Sequence, residues 1–329
     1  MANAFPVLSI LDLAPITEES NARESLLQSA DLAKHAEQWG YHRFWMAEHH
    51  NMTGIASAAT AVALAYIGSQ TSTIRIGAGG IMLPNHAPLI AAEQFGTLAA
   101  LYPDRVDLGL GRAPGTDGAT LRALRRDYTT ADNFPHDVQE LLMYLDDPKP
   151  GQAIKAVPGM SSKVPVWILG SSMFGAQLAA QLGLPYAFAS HFAPDYLHVA
   201  LEAYYQNFKP SRYLDKPYAM AAVNVFAADT EQAAKRMKSS MQLQFMALRQ
   251  GNPGKLPAPV DNIENTVDPS ALAAANHALK YTACGTPEQV HEYLAKFAQA
   301  SGVQEIMLTC HAYDHQARLR SFEIAKDFS

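Results

Sequence analysis

The stretch from Ile74 to Arg112 constrains the fold more than any other, because it reads as a strand, a helix and a second strand in direct succession. Ile74 to Leu83 is apolar on both alternating faces, the pattern of a parallel strand covered on both sides rather than of a half-exposed hairpin strand. A helix then starts at Ala87 with Pro88 in its first turn, where a missing N–H costs nothing. It carries Leu89, Ala92, Phe95, Leu98, Ala99 and Leu101, mostly at three- and four-residue spacing, and stops at Pro103. Val106 to Leu110 returns as a buried strand. Strand, helix and strand in this order form a right-handed crossover within a parallel sheet.

The same unit recurs. Apolar runs predict further strands at Phe5 to Leu11, Tyr41 to Ala47, Val164 to Leu169, Tyr186 to Ser190, Ala219 to Ala227 and Val303 to Cys310. Helical spacing follows each, from Asn21 to Trp39 with Gly40 as a stop signal, Ser57 to Ser69, Thr130 to Leu145, Ser172 through Leu182, Pro194 to Phe208, Thr230 to about Leu248, and a closing helix to Phe328. Asp146 to Lys163, rich in Pro and Gly, reads as loop. Eight strands each followed by a helix predict an α/β chain folded as one (β/α)8 TIM barrel over residues 1–329. With 48% hydrophobic residues the chain can bury a core of that size. One excursion breaks the rhythm between the seventh and eighth strands: Arg249 to Asn276, rich in Pro, Gly and Asn, is expected to be a mobile lid. Gly285-Thr286-Pro287-Glu288 then starts a helix.

The totals favour small-molecule chemistry. A net charge of −6, with 25 basic residues spread along the chain, argues against nucleic acid and anionic membranes as partners. Ile55 to Gly68 is too short to span a bilayer, and the residues from Met1 to Pro6 lack the blocks of a signal peptide. Cys284 and Cys310 are too few for a disulfide framework, so both are expected to be buried, reduced thiols in a cytoplasmic protein.

In such barrels chemistry sits at the C-terminal ends of the strands, which here supply Asp12, Glu48, His49, His50, Gly79, Gly80, Arg112, Ser171, Ser172, His191 and His311. A single histidine in such a place is more often structural than catalytic. Glu48-His49-His50 is a stronger signal, because three ionisable groups in a row are costly to crowd into a mouth that does not use them. Gly79-Gly80 either relieves crowding at a strand end or lets a flat ligand approach closely, and local sequence leaves both open. Ser171 and Ser172 open a helix and could seat a phosphate, with Arg112 as countercharge; helix capping and a surface ion pair are the plainer readings. No metal site is expected, since the chain has no His-Glu-x-x-His.

The runs Trp45-Met-Ala-Glu-His-His50, Gly77-Ala-Gly-Gly-Ile-Met-Leu-Pro84, Leu108-Gly-Leu-Gly-Arg112, Ala179-Ala-Gln-Leu-Gly-Leu-Pro185 and Gly285-Thr-Pro-Glu288 resemble, in order and spacing, the bacterial luciferase-like, flavin-dependent monooxygenases, in their single-chain branch. The resemblance runs from Phe5 to the last helix. It implies a barrel that takes reduced FMN from a separate NAD(P)H:flavin reductase and uses O2 to oxidise a small organic substrate. It also implies a non-proline cis peptide at Gly79-Gly80 beneath the flavin ring, His49 in proton transfer, Glu48 in the flavin pocket, and Arg112, Ser171 and Ser172 on the phosphate side. A bulky residue at Gly80 is then expected to block the ring while leaving the fold intact. A His49 near its ordinary pKa is expected to serve as acid or base. The alternatives are an F420-dependent dehydrogenase of the same superfamily and a flavin-binding protein without turnover. A homodimer is expected, because Ile55 to Ile67 has Ala at nearly every slot where a helix would be polar.

Overall fold

The computed structural model describes residues 5–113 and 117–327. Pro114, Gly115 and Thr116 of the loop after the fourth strand, and the expected end of the last helix at Phe328, lie outside them.

Strands form where the apolar runs stand: β1 (Val7–Asp12), β2 (Arg43–Met46), β3 (Arg75–Met82), β4 (Val106–Gly111), β5 (Val166–Gly170), β6 (Tyr186–Phe188), β7 (Ala219–Ala227), β8 (Thr282–Gly285) and β9 (Glu305–Thr309). The helices are α1 (Ala22–Gln38), α2 (Thr60–Gln70), α3 (Pro88–Leu101), α4 (Gly118–Ala123), α5 (Phe134–Leu145) and α6 (Met173–Leu182). After them come α7 (Leu197–Asn207), α8 (Glu231–Arg249), α9 (Pro269–Ala278), α10 (Pro287–Ser301) and α11 (His315–Lys326). Local chemistry explains the boundaries. Asn21 and Glu24 satisfy each other's backbone N–H groups at the start of α1, and Gly40, at φ +79°, ends it in the left-handed region.

All neighbouring strands are parallel. Following β1 through β6, then β7 and β9, the sheet closes on itself, with β6 paired to β7 and β9 paired to β1. This is the expected (β/α)8 TIM barrel. The excursion is richer than its composition suggests, for it contains α9 and leads into β8, a strand the sequence reading lacks. β8 lies outside the ring: the first residues of β7 pair with β6, and its last four, Asn224 to Ala227, pair with β8. The sequence Thr282-Ala-Cys-Gly285 hides it, being short and poor in the β-branched and aromatic residues that mark strands.

The barrel interior is layered. At the N-terminal ends of the strands, Arg43 bridges Asp107 at 2.8 Å and Glu305 at 2.7 Å, and Arg75 reaches Asp107 at 2.6 Å. Tyr218 donates to Glu305 at 2.9 Å, and Ser9 donates to the same carboxylate. Such buried charges are tolerable only when fully paired, and here each carboxylate meets several donors. Above this floor Leu11, Trp45, Trp167, Met220 and Met307 form an apolar plug. The open space begins above the plug, at the C-terminal ends of the strands.

Candidate active site

One cavity of about 450 Å³ occupies the C-terminal mouth of the barrel. Its lining includes His49, Gly79, Gly80, Arg112, Ser171 and Ser172, so six of the seven residues selected from sequence meet in one space. Most of the remaining wall is apolar, with Met52, Met82, Phe134, Leu169, Phe174, Phe192 and Phe245 among the contributors.

Glu48 stands apart from this lining. It is 1% exposed, and its carboxylate accepts from His50 Nε2 at 2.8 Å, from His86 Nε2 at 2.9 Å and from the backbone N–H of Met82 at 3.2 Å. Burial alone would push its pKa up, but the two imidazole hydrogen bonds outweigh burial and hold the carboxyl below its usual range. The carboxylate thus ties the end of β2 to the end of β3, beside the glycine pair. Glu48, His50 and His86 also bring three possible ligand atoms within 4.8 Å of one another, as do His136, Asp137 and Glu140. In the first group the carboxylate is already satisfied by ring N–H donors.

The peptide between Gly79 and Gly80 is cis. The two glycines are required by packing as well as by the cavity they line. A Cβ on Gly79 would lie 2.8 Å from Leu11 Cδ1 and 2.9 Å from Trp45, inside the plug. A Cβ on Gly80 would lie 2.7 Å from the carbonyl oxygen of Gly109 on β4. The expectation that a bulky residue at Gly80 leaves the fold intact is therefore corrected, because its clash is with a neighbouring strand's backbone.

Ser172 caps α6 with extended backbone, φ −147°, yet its hydroxyl makes no capping bond, leaving that hydroxyl and the first N–H groups of the helix together at the cavity wall. Arg112 is exposed and lies over the Phe174 ring at 4.1 Å, which holds the guanidinium beside the same helix start.

His49 differs from the sequence expectation in its ionisation. Burial lowers its pKa, Glu48 raises it and His50 lowers it, and the sum lies below the ordinary histidine value. At neutral pH the ring is neutral, a proton acceptor rather than an acid. Its Nδ1 is buried without a hydrogen-bond partner.

Two further histidines join it. His191 and His311 line the cavity and are each 8% exposed. Burial, the other histidines of the group and, for His311, Arg318 hold them neutral, pushing His191 down to about 3 and His311 to about 4. His191 Nδ1 has no partner, while His311 Nδ1 lies 3.2 Å from Gln244 Oε1. Sequence reading places both at strand ends but does not select them. The α8 residues Met241, Gln244, Phe245 and Leu248 escaped it entirely, since a barrel's outer helix carries no sign that its face reaches the mouth.

The chain matches the family model described as luciferase-like monooxygenase over residues 8–305. It is 53% identical to a luciferase-like monooxygenase of Escherichia coli (strain K12) over 328 residues, covering 99% of this chain and 98% of that one. It is 31% identical to the N-acetyl-S-alkylcysteine monooxygenase of Bacillus subtilis (strain 168), covering 97% of each. Among solved structures, apo-MsnO8 superposes with a TM-score of 0.86 at 33% identity, over 98% of both chains. With the barrel, its mouth and these relatives in agreement, the chain belongs to the luciferase-like monooxygenase family of flavin-dependent oxidoreductases that use oxygen.

Proposed function

We propose that the mouth binds FMN, received in reduced form from a separate NAD(P)H:flavin reductase, and that the protein uses it with O2 to oxidise a small organic substrate. The observation that carries this reading is the convergence, in one largely apolar cavity, of a side-chain-free backbone at Gly79-Gly80 with a polar pole made of Arg112, Ser171, Ser172 and the start of α6. A flat ring needs the first and a phosphate the second. Bound FMN would supply the oxygen chemistry, which no side chain can provide.

The chain's own residues have distinct tasks. Arg112 supplies charge to the phosphate, and the Ser172 hydroxyl and helix N–H groups donate to it. Ser171 lines the same pole. Glu48 acts beneath the surface, holding the β2 and β3 ends in place through His50, His86 and Met82. His49, neutral and unpaired at Nδ1, accepts a proton from the reacting partners and returns it. The apolar walls keep water out.

Titration with FMN and with F420, followed by flavin absorbance, tests the cofactor: FMN is expected to bind more tightly, and tighter binding of F420 would overturn the reading. Arg112→Ala with Ser172→Ala should weaken FMN by about tenfold or more, for two lost phosphate contacts. His49→Ala should keep FMN affinity while oxygen uptake, measured with a flavin reductase and NADH across a panel of aldehydes, ketones and thioethers, falls on the order of a hundredfold. Undiminished uptake in His49→Ala would remove the proton-transfer role and leave the cofactor assignment standing.

A further inference from the structure

The polar groups in the cavity lining are of two chemical kinds, a cation with hydroxyls and a set of imidazoles with an amide. Placing the FMN phosphate at Arg112, Ser171 and Ser172, a step that rests on the FMN reading, leaves the wall formed by β9 and α8, with His191 from the loop after β6, for the substrate. Among the described residues that line the cavity, Arg112 is the sole arginine, and none is Lys, Asp or Glu. The polar groups of that wall are His191, His311 and Gln244, with Met241, Phe245 and Leu248 of α8 also in the lining. His191 Nδ1 is buried there without a partner, and His311 turns one ring nitrogen to Gln244.

We propose that His191, Gln244 and His311 form a substrate subsite that selects an uncharged, mostly apolar molecule carrying one hydrogen-bonding group, and rejects carboxylates, sulfonates and amines of the same length. An unpartnered polar atom in an apolar wall is destabilising, and a neutral hydrogen-bonding group on a ligand removes that cost. An ion at the same place would lose its hydration and meet no unpaired countercharge, since Arg318, which acts on His311, is already paired with Asp12; that is a much larger penalty. The imidazoles do not supply one, because burial keeps both neutral far below pH 7. Met241 and Phe245 accommodate the hydrocarbon part, and the flexible thioether tolerates more than one shape.

The test is calorimetric titration of the protein loaded with oxidised FMN, at pH 7.5, using 2-decanone and decanoate as probes of matched length. The ketone is expected to bind at least about tenfold more tightly, a difference of roughly 1.4 kcal/mol. His191→Leu should weaken the ketone several-fold. Gln244→Lys, which places a cation in this wall, should tighten decanoate by about tenfold with FMN affinity unchanged. Absence of a ketone preference in the parent protein overturns the proposal. So does a Gln244→Lys protein that is folded by circular dichroism, binds FMN normally and handles decanoate as the parent does. FMN binding is read separately by absorbance, and the same titrations on flavin-free protein report the subsite by themselves. A failure of the cofactor reading is thereby distinguished from a failure of the subsite.

Discussion

His191 and His311 show how one residue type takes its chemistry from its surroundings. Each has an ordinary value of 6.5, and burial pushes the first down to about 3 and the second to about 4. Between those values and 6.5 the unfolded chain binds more protons than the folded one, so stability rises with pH across that window. The stability these two rings confer is fully present above the unfolded value and is lost as pH falls through 4 toward 3. Urea unfolding followed by circular dichroism should therefore show a midpoint that drops between pH 7 and pH 4. In His191→Leu combined with His311→Leu the drop should be shallower; identical slopes would show that neither ring is held neutral. Both histidines stand at strand ends in the sequence, but only burial in the cavity makes them neutral hydrogen-bonding groups. Gly80 teaches the converse, since its position is visible in sequence while its intolerance of a Cβ comes from Gly109 on another strand.

At the scale of elements, the excursion after α8 is partly anchored. Leu256 is fully buried, donates its N–H to Ile16 at 2.8 Å and accepts from Glu18 at 3.0 Å. Val260 donates to Ser239 at 2.8 Å, and Ile263, Leu272 and Ala275 pack with Met246. Of the proposed lid, Arg249 to Asn276, the part before Leu256 has fewer such ties, and its Pro253 and Gly254 line the cavity. There the chain crosses so near the loop after β2 that a Cβ on Gly54 would come 2.1 Å from the Gly254 carbonyl oxygen. We expect trypsin to cut first at Arg249 or Lys255, and FMN to slow that cut, because a ligand in the mouth favours the closed segment. Equal rates with and without FMN would sink the lid. Composition reveals the excursion, but α9 and β8 depend on partners, the first packing on α8 and the second pairing with β7.

For the whole molecule, the helices beside the early strands carry apolar side chains that the barrel does not cover. On α2, Val62 is 72% exposed and Tyr66 40%; on α3, Leu101 is 60% exposed and Ile90 45%. The alanine-rich pattern of Ile55 to Ile67 raises the expectation of a homodimer, and we propose that these exposed faces form its interface. Sedimentation velocity of the parent protein at micromolar concentration is expected to show a dimer, with Val62→Glu combined with Leu101→Glu shifting it to monomer while the circular dichroism spectrum is kept. A parent protein that sediments only as a monomer would end the dimer proposal. The described residues contain no helix long and apolar enough to cross a membrane.

By itself the sequence determined the barrel, because the period of apolar residues, proline and glycine stops and helix caps are local and each is read within a few residues, and its motif runs carried the resemblance to the family. It also determined which strand ends carry ionisable groups. What only the tertiary structure decided is how those groups behave. Glu48 is satisfied by His86, 38 residues away, and His311 faces Gln244, 67 residues away. The ionisation of His49 and the position of β8 likewise depend on burial and on partners distant in the chain. Solvation and pairing are properties of assembled space, and no local pattern of residues encodes which distant atoms will fill it.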